Sequence, residues 1–206
     1  MLKSTYGTGC FLLLHTGEKI ISSKNKLLST IAYRVDGKIA YGLEGSIFAA
    51  GAIIKWLRDK LHLIKSSAQT QELAASVADT GGVHLIPAFT GLAVCYQTVD
   101  LIEAMRSDGC TAFASLRVDG GMAANNWLLQ FLADLLAVEV SRPRYIETTA
   151  LGAAYMAGLG AGLYQSLQEI STLWEIEQTF TPQMPQQQRT ILYKNWQEAL
   201  ERVLTN

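Results

Sequence analysis

Two strand-and-helix pairs follow each other in the second half of the chain, and this alternation constrains the fold more than any other sequence feature. The apolar patterns predict a strand at 113–118, a helix at 123–137, a strand at 138–142 and a helix at 149–164. Strands that alternate with helices pack as a sheet covered by helices. The sequence therefore predicts an α/β fold.

The first strand of this unit ends at Asp119, and the pair Gly120-Gly121 then leads into an amphipathic helix. Glycines let the backbone approach a ligand closely, and a helix start offers N–H groups that lack intrahelical partners. The turn is therefore a candidate ligand site. An Asp-Gly-Gly turn can equally be a simple connection, and both interpretations stand at this point.

A second glycine turn, Gly7-Thr8-Gly9, precedes an apolar strand at 11–14. A threonine hydroxyl beside free backbone N–H groups suits a phosphate oxygen. The alternative is a plain hairpin turn whose hydroxyl bonds its own backbone.

Other patterns predict the remaining elements. Asp36-Gly37 lies between two strand-like runs and indicates a hairpin. Ser46 is expected to cap a helix from Ile47 to about Leu61. The Ala/Gly-rich stretch Thr149 to Leu163 is short for a membrane span and is interpreted as a buried helix. Further predictions are helices at 71–78, 93–105 and 186–204 and a strand at 83–86.

Composition excludes several classes of function. About half of the 206 residues are hydrophobic and the net charge is −1, which gives no electrostatic reason to expect nucleic acid or an anionic membrane as partner. Three unpaired cysteines fit reduced thiols in a cytoplasmic protein. The three histidines are isolated from one another, so no metal site is expected. The cysteines are Cys10, Cys95 and Cys110, and the histidines are His15, His62 and His84.

Seven runs of residues occur in the same order as in a known family. They are Thr5–Phe11, Leu43–Gly45, Trp56–Asp59, Pro87–Leu92, Tyr96–Thr98, Leu116–Asn126 and Glu147–Tyr155. In these runs the chain resembles the C-terminal half of the glycerol kinases, which belong to the FGGY family of carbohydrate kinases. The resemblance implies a ribonuclease-H-like, actin-like ATPase domain, with a mixed sheet flanked by helices, over 1–180. A helix at 181–206 would pack on it.

The resemblance also shows what is missing. The family's N-terminal domain, its catalytic aspartate and most of its glycerol contacts have no counterpart here, so no catalytic residue is assigned. Leu92 runs almost directly into Cys95, where the family has a few dozen further residues, so the domain is expected to be internally shortened near 92–95.

The resemblance places nucleotide contacts on five residues. Thr8 would bond a phosphate oxygen, Gly121 would pass its backbone near the α-phosphate, and Asn125 would reach the nucleotide. Gly51 would leave room for the adenosine. Lys55 stands where the family usually has glutamine, and a lysine can donate but cannot accept a hydrogen bond.

A sixth residue, Phe11, matches an aromatic that packs against glycerol, although a core phenylalanine would suit the same strand. Asp119 has two interpretations: a base or magnesium ligand, or a residue at the end of the strand that orients the Gly-Gly turn or caps the helix. Arg142 and Arg144 are candidates for phosphate contacts or ordinary surface arginines.

The implied activity is ATP-dependent phosphorylation of glycerol to glycerol 3-phosphate with Mg²⁺. ATP or ADP would bind this half, while glycerol would bind only with an N-terminal half, and a homo-oligomer is possible. The chain alone is expected to be inactive. Two alternatives remain: a degenerate, non-catalytic nucleotide-binding or interaction remnant, and an FGGY kinase acting on a pentose.

Overall fold

A mixed β-sheet forms the centre of the protein. The computed structural model describes residues 1–79, 81, 94–111 and 113–204. The expected strand at 83–86 and the junction after Leu92 lie outside the described residues.

Seven strands and seven α-helices are described, together with a 3₁₀ turn at Gly121–Ala124. The strands are β1 (Leu2–Tyr6), β2 (Cys10–Gly17), β3 (Leu28–Val35), β4 (Lys38–Ile47), β5 (Ser115–Asp119), β6 (Glu139–Pro143) and β7 (Ile176–Phe180). The helices are α1 (Gly51–Asp59), α2 (Gln69–Ser76), α3 (Val94–Ser107), α4 (Asn126–Leu136), α5 (Thr148–Gly160), α6 (Leu167–Thr172) and α7 (Gln186–Leu204).

The strand order is β3-β4-β2-β1-β5-β6-β7. Strands β1, β5 and β6 are parallel neighbours, whereas β2, β3, β4 and β7 pair antiparallel. The parallel pair β5–β6 comes from the predicted strand-and-helix alternation, because the chain crosses over α4 before returning to the sheet. The α/β fold with a mixed sheet flanked by helices is confirmed.

The core lies between one face of the sheet and the helices α3 and α4. Side chains alternate along a strand, so Cys10, Leu12 and Leu14 of β2 point into this core. The hydroxyl of Tyr6 is within hydrogen-bond distance of Thr98 Oγ1 on α3, at 2.9 Å, which satisfies both buried polar groups. Burial raises the pKa of the Cys10 and Cys95 thiols to about 12.

Helix α7 is attached to α3 through aromatic side chains. Trp196 is buried and stacks on Tyr96 with ring centroids 5.4 Å apart. The indole N–H of Trp196 and the hydroxyl of Tyr193 both donate to the carboxylate of Asp100, at 3.0 and 2.7 Å. Two charge-assisted hydrogen bonds therefore fix where this helix crosses the domain.

Two local predictions are wrong. Ser46 does not cap a helix, because β4 stays paired with β2 as far as Ile47 and α1 begins only at Gly51. The 149–163 stretch is helical as far as Gly160 but not buried: of the thirteen residues of α5, all described, Gly158 alone is buried. Among the described residues, no helix is long and apolar enough to cross a membrane.

Candidate functional site

The Gly7-Thr8-Gly9 turn lies directly against the start of α1. The carbonyl oxygen of Gly7 accepts a hydrogen bond from the N–H of Gly51 at 2.9 Å. The carbonyl of Thr8 accepts from Ala50 and Ala52, at 2.9 and 3.1 Å. The turn is a β1–β2 hairpin connection, and its carbonyls satisfy N–H groups at the helix start that would otherwise lack partners. The side chain of Thr8 is exposed.

The glycine turn after β5 lies at the same end of the sheet, because β1 and β5 are parallel neighbours. A Cβ added to Gly120 would lie 2.5 Å from the carbonyl oxygen of Tyr6. A Cβ on Gly51 would lie 2.6 Å from the carbonyl oxygen of Gly7 and 3.6 Å from the sulfur of Met122. Three backbone segments thus converge here at distances that only glycine permits.

This packing gives Gly51 a structural role that sequence reasoning missed. Its missing side chain makes room for the backbone of Gly7, so the fold alone explains the glycine. Its contact with adenosine stays a prediction.

Gly121 differs from these glycines because the space around it is open. No atom lies within 4 Å of the position its Cβ would occupy, and the residue is exposed. Its backbone can therefore be approached from solvent, as a contact with an α-phosphate requires.

Asn125 caps α4. Its side-chain oxygen accepts a hydrogen bond from the N–H of Leu128 at 3.0 Å, and its side-chain nitrogen lies 3.5 Å from the hydroxyl of Thr70. Beside it, the N–H of Asn126 donates to the side chain of Gln71 at 2.8 Å. Helix α2 therefore borders the candidate site, which no motif indicated, because two polar residues on a short helix carry no recognisable pattern.

Lys55 lies on α1, one turn after Gly51, and its side chain is exposed. The hydrogen bond from Arg58 is the largest cause of the lowered pKa of the neighbouring Asp59, and the charge of Lys55 lowers that pKa further. Lys55 therefore shares α1 with Gly51, and its contact with nucleotide stays a prediction.

Phe11 alternates with the buried residues of β2, so it points away from α3 and α4. The residue is 48% exposed, and its neighbours across the strands are Thr5 and Ser46. The alternative of a core phenylalanine is therefore wrong, and the ring is available at the surface of the sheet.

Asp119 is buried on the same face of the sheet as Phe11, because it neighbours Thr5 across β1 and β5. Its oxygen Oδ2 lies 2.7 Å from the ammonium of Lys3, as an ion pair rather than an aligned hydrogen bond. The carboxylate does not cap α4, since Asn125 does so. Within the described ranges, no group of acidic, histidine or cysteine side chains is arranged to hold a metal.

The two candidate arginines have different environments. Arg144 is exposed and forms an ion pair with Glu175 at 3.1 Å. Arg142 is buried behind the Gly-Gly turn, where it donates to the carbonyl of Ala123 at 3.0 Å. Arg142 therefore supports the turn from inside the domain and does not face its open side.

Comparison with known proteins agrees with this geometry. A family profile described as "FGGY family of carbohydrate kinases, C-terminal domain" matches residues 2–93 and 92–161. A glycerol kinase of Coxiella burnetii is 52% identical over 236 residues, which cover all of this chain and 47% of the relative. Glycerol kinase 1 of Pseudomonas aeruginosa is 48% identical over 234 residues, with 98% and 47% covered.

These alignments are longer than the chain, which has 206 residues. The relatives therefore have residues within the matched region that this chain lacks. The two segments of the family match meet at residues 92–93, which supports an internal shortening there. The chain spans about half the length of the relatives.

Solved structures give the same result. The Plasmodium falciparum glycerol kinase with ADP superposes with a TM-score of 0.86 at 32% identity, covering 98% of this chain and 46% of that one. A ligand-bound xylulose kinase from Lactobacillus acidophilus has a TM-score of 0.71 at 18% identity, with 97% and 47% covered, and shares the fold. The chain therefore belongs to the FGGY family of carbohydrate kinases and corresponds to its C-terminal domain.

Proposed function

We propose that this chain is the nucleotide-binding half of an ATP-dependent glycerol kinase. The observation that carries the proposal is the open backbone of Gly121 at the point where the turns after β1 and β5 meet the start of α1. The similar Plasmodium falciparum enzyme was solved with ADP. The relatives with 52% and 48% sequence identity are named glycerol kinases, which favours glycerol over a pentose as the acceptor substrate.

In this proposal Thr8 and Gly121 bind the phosphates, Asn125 and Lys55 lie near the nucleoside, and Gly51 shapes the floor beneath it. ATP supplies the phosphoryl group. The described residues offer no dedicated metal-binding set, so Mg²⁺ would enter with the phosphates of the nucleotide. Phe11, exposed on the neighbouring face, would contact glycerol.

We also propose that the chain needs an N-terminal half for catalysis. Phosphoryl transfer requires a group that orients the acceptor hydroxyl and a closed, water-free site. Helix α5 supports this requirement, because it carries no charged residue and is exposed along most of its length. Such a surface is suited to burial against another domain.

Titration of the purified chain with Mg-ADP tests the nucleotide site. Gly121→Val places a side chain in open space, so the fold should tolerate it while nucleotide affinity falls at least about tenfold. Gly152→Val is the matched control, because the space around that glycine is also open but it lies on α5. Equal affinities for the two variants would contradict the assignment.

A degenerate, non-catalytic interaction remnant is a second candidate function, favoured by the residues that the chain lacks relative to its relatives. A folded chain that binds no Mg-ADP, and that produces no ADP with glycerol even when an N-terminal half is added, would support this candidate. Glycerol-dependent ADP formation by the chain alone would contradict the need for an N-terminal half.

A further inference from the structure

Arg142 is a buried cation close to the candidate nucleotide turn. It lies on β6, whose parallel neighbour β5 leads into the Gly-Gly turn, and only 7% of the residue is exposed. Its nitrogen Nη1 donates to the carbonyl of Ala123 at 3.0 Å and to the side-chain oxygen of Asn126 at 2.7 Å. Ala123 belongs to the 3₁₀ turn that follows Gly120, and Asn126 is the first residue of α4. One guanidinium nitrogen therefore links this turn to the start of the helix.

The opposite side of the guanidinium is held by β7. Nε donates to Glu177 at 2.8 Å, and Nη2 donates to the side chain of Gln178 at 3.0 Å. The ring of Phe180 lies 5.7 Å from the guanidinium carbon. All three nitrogens are therefore engaged, and the plane of the group is fixed. A lysine ammonium has no such fork and cannot reproduce this arrangement.

We propose that Arg142 is a positioning residue for nucleotide binding. It fixes the backbone that presents Gly121 and the cap residue Asn125, while Glu177 and Gln178 orient its guanidinium. Its donors are directed at protein groups, so it acts on the nucleotide through the turn rather than by touching a phosphate. This inference rests on the proposed function of the chain.

The test compares Arg142→Lys with Arg144→Lys, a matched exchange at an exposed arginine two residues away. Mg-ADP affinity is measured by calorimetry, and amide hydrogen exchange is measured on the ligand-free chain by NMR. Arg142→Lys should weaken Mg-ADP binding about tenfold or more, since charge-assisted hydrogen bonds are lost. It should also speed exchange at residues 121–129 but not at residues 50–52. Arg144→Lys should change neither measurement.

Glu177→Gln provides a milder variant, because the Glu177 side chain is 51% exposed and its replacement should not unfold the domain. It removes the charge that orients Nε and should weaken binding less than Arg142→Lys does. This variant keeps the test decisive if Arg142→Lys does not fold.

The outcomes separate the two proposals. Wild-type affinity in both Arg142→Lys and Glu177→Gln, or unchanged exchange at residues 121–129, would overturn the positioning role alone. No Mg-ADP binding by the folded wild-type chain would overturn the proposed function, and the positioning role with it.

Discussion

At the turn after β5, the conformation of Gly120 excludes every other residue. Its φ is +87°, and a Cβ would collide with the carbonyl of Tyr6 at 2.5 Å. Gly120→Ala should therefore lower the free energy of unfolding by about 2 kcal/mol or more. Gly121→Ala, in open space, should change it little. Urea unfolding of the two variants checks this difference, and equal losses would contradict it.

Asn125 caps α4 and is proposed to contact nucleotide, and different substitutions can separate these two roles. Its side-chain oxygen caps α4, so Asn125→Ala should cost about 1 kcal/mol of stability. Asn125→Ser keeps a capping oxygen and should restore most of that loss. If the side-chain amide also contacts nucleotide, both variants should lose Mg-ADP affinity. If Asn125→Ser regains Mg-ADP affinity together with stability, while Asn125→Ala loses both, Asn125 has a capping role only.

The buried thiols make stability depend on alkaline pH. An unfolded cysteine ionises near about pH 8.5, whereas burial raises the pKa of Cys10 and Cys95 to about 12. The unfolded chain therefore loses protons first, so stability is complete below about pH 8.5 and decreases between there and about pH 12. Between pH 7 and pH 9.5, each of these thiols should lower the free energy of unfolding by about 1.4 kcal/mol.

Urea unfolding at pH 7 and at pH 9.5 measures this loss of stability. Both values lie below the range in which most tyrosines ionise. Cys95→Ala should remove about 1.4 kcal/mol of this loss, because Cys10 and Cys110, whose pKa burial also raises, retain their own shares. A pH dependence that is the same in this variant and the wild type would contradict the role of Cys95.

At the scale of elements, α7 is held by a few side chains of α3. Asp100 accepts hydrogen bonds from Tyr193 and Trp196, and burial together with the Asp100 carboxylate raises the pKa of Tyr193. Trp196→Ala should cost about 3–5 kcal/mol, since it removes a buried indole. Trp196→Phe keeps the stacking on Tyr96 and should cost less than half as much. Thermal unfolding distinguishes them, and equal losses would show that stacking contributes little.

The elements that sequence patterns did not indicate share a physical reason. Strand β1 mixes apolar and polar residues and buries Ser4, while β7 is an edge strand with four of its five residues exposed. Neither has the apolar run that marks a central strand. Helix α6 is only six residues long. The two strands also depend on pairing with β5 and β6, which lie far from them in the sequence.

At the scale of the whole molecule, the exposed helix α5 indicates where an N-terminal half would pack. Met156, which is 41% exposed, lies on this helix. Met156→Lys should leave the stability of the isolated chain unchanged within about 0.5 kcal/mol. It should weaken association with the part of the Coxiella burnetii relative that lies outside the matched region. Gel filtration of the mixture measures this, with Gln168→Lys as an exposed control outside α5.

If Met156→Lys and Gln168→Lys associate equally well with that half, α5 is not the contact surface. If neither the wild type nor the variants associate, the expected packing of this pair of chains in trans is contradicted.

The elements that depend on local pattern could be predicted from the order of residues. The hairpin at Asp36-Gly37 is one example, since both residues have the positive φ that its turn requires. The alternation from β5 to α5 and the family membership are others. These properties depend on neighbouring residues or on ordered motifs, and a linear chain contains both.

The contacts between distant residues became visible in the folded structure. It showed that Gly51 and Gly120 make room for the backbone of Gly7 and Tyr6, and that Arg142 supports the Gly-Gly turn from inside. It also showed that α5 is exposed, although its composition suits a buried helix. Close approach and burial are properties of pairs of segments, so the sequence of either segment alone does not contain them.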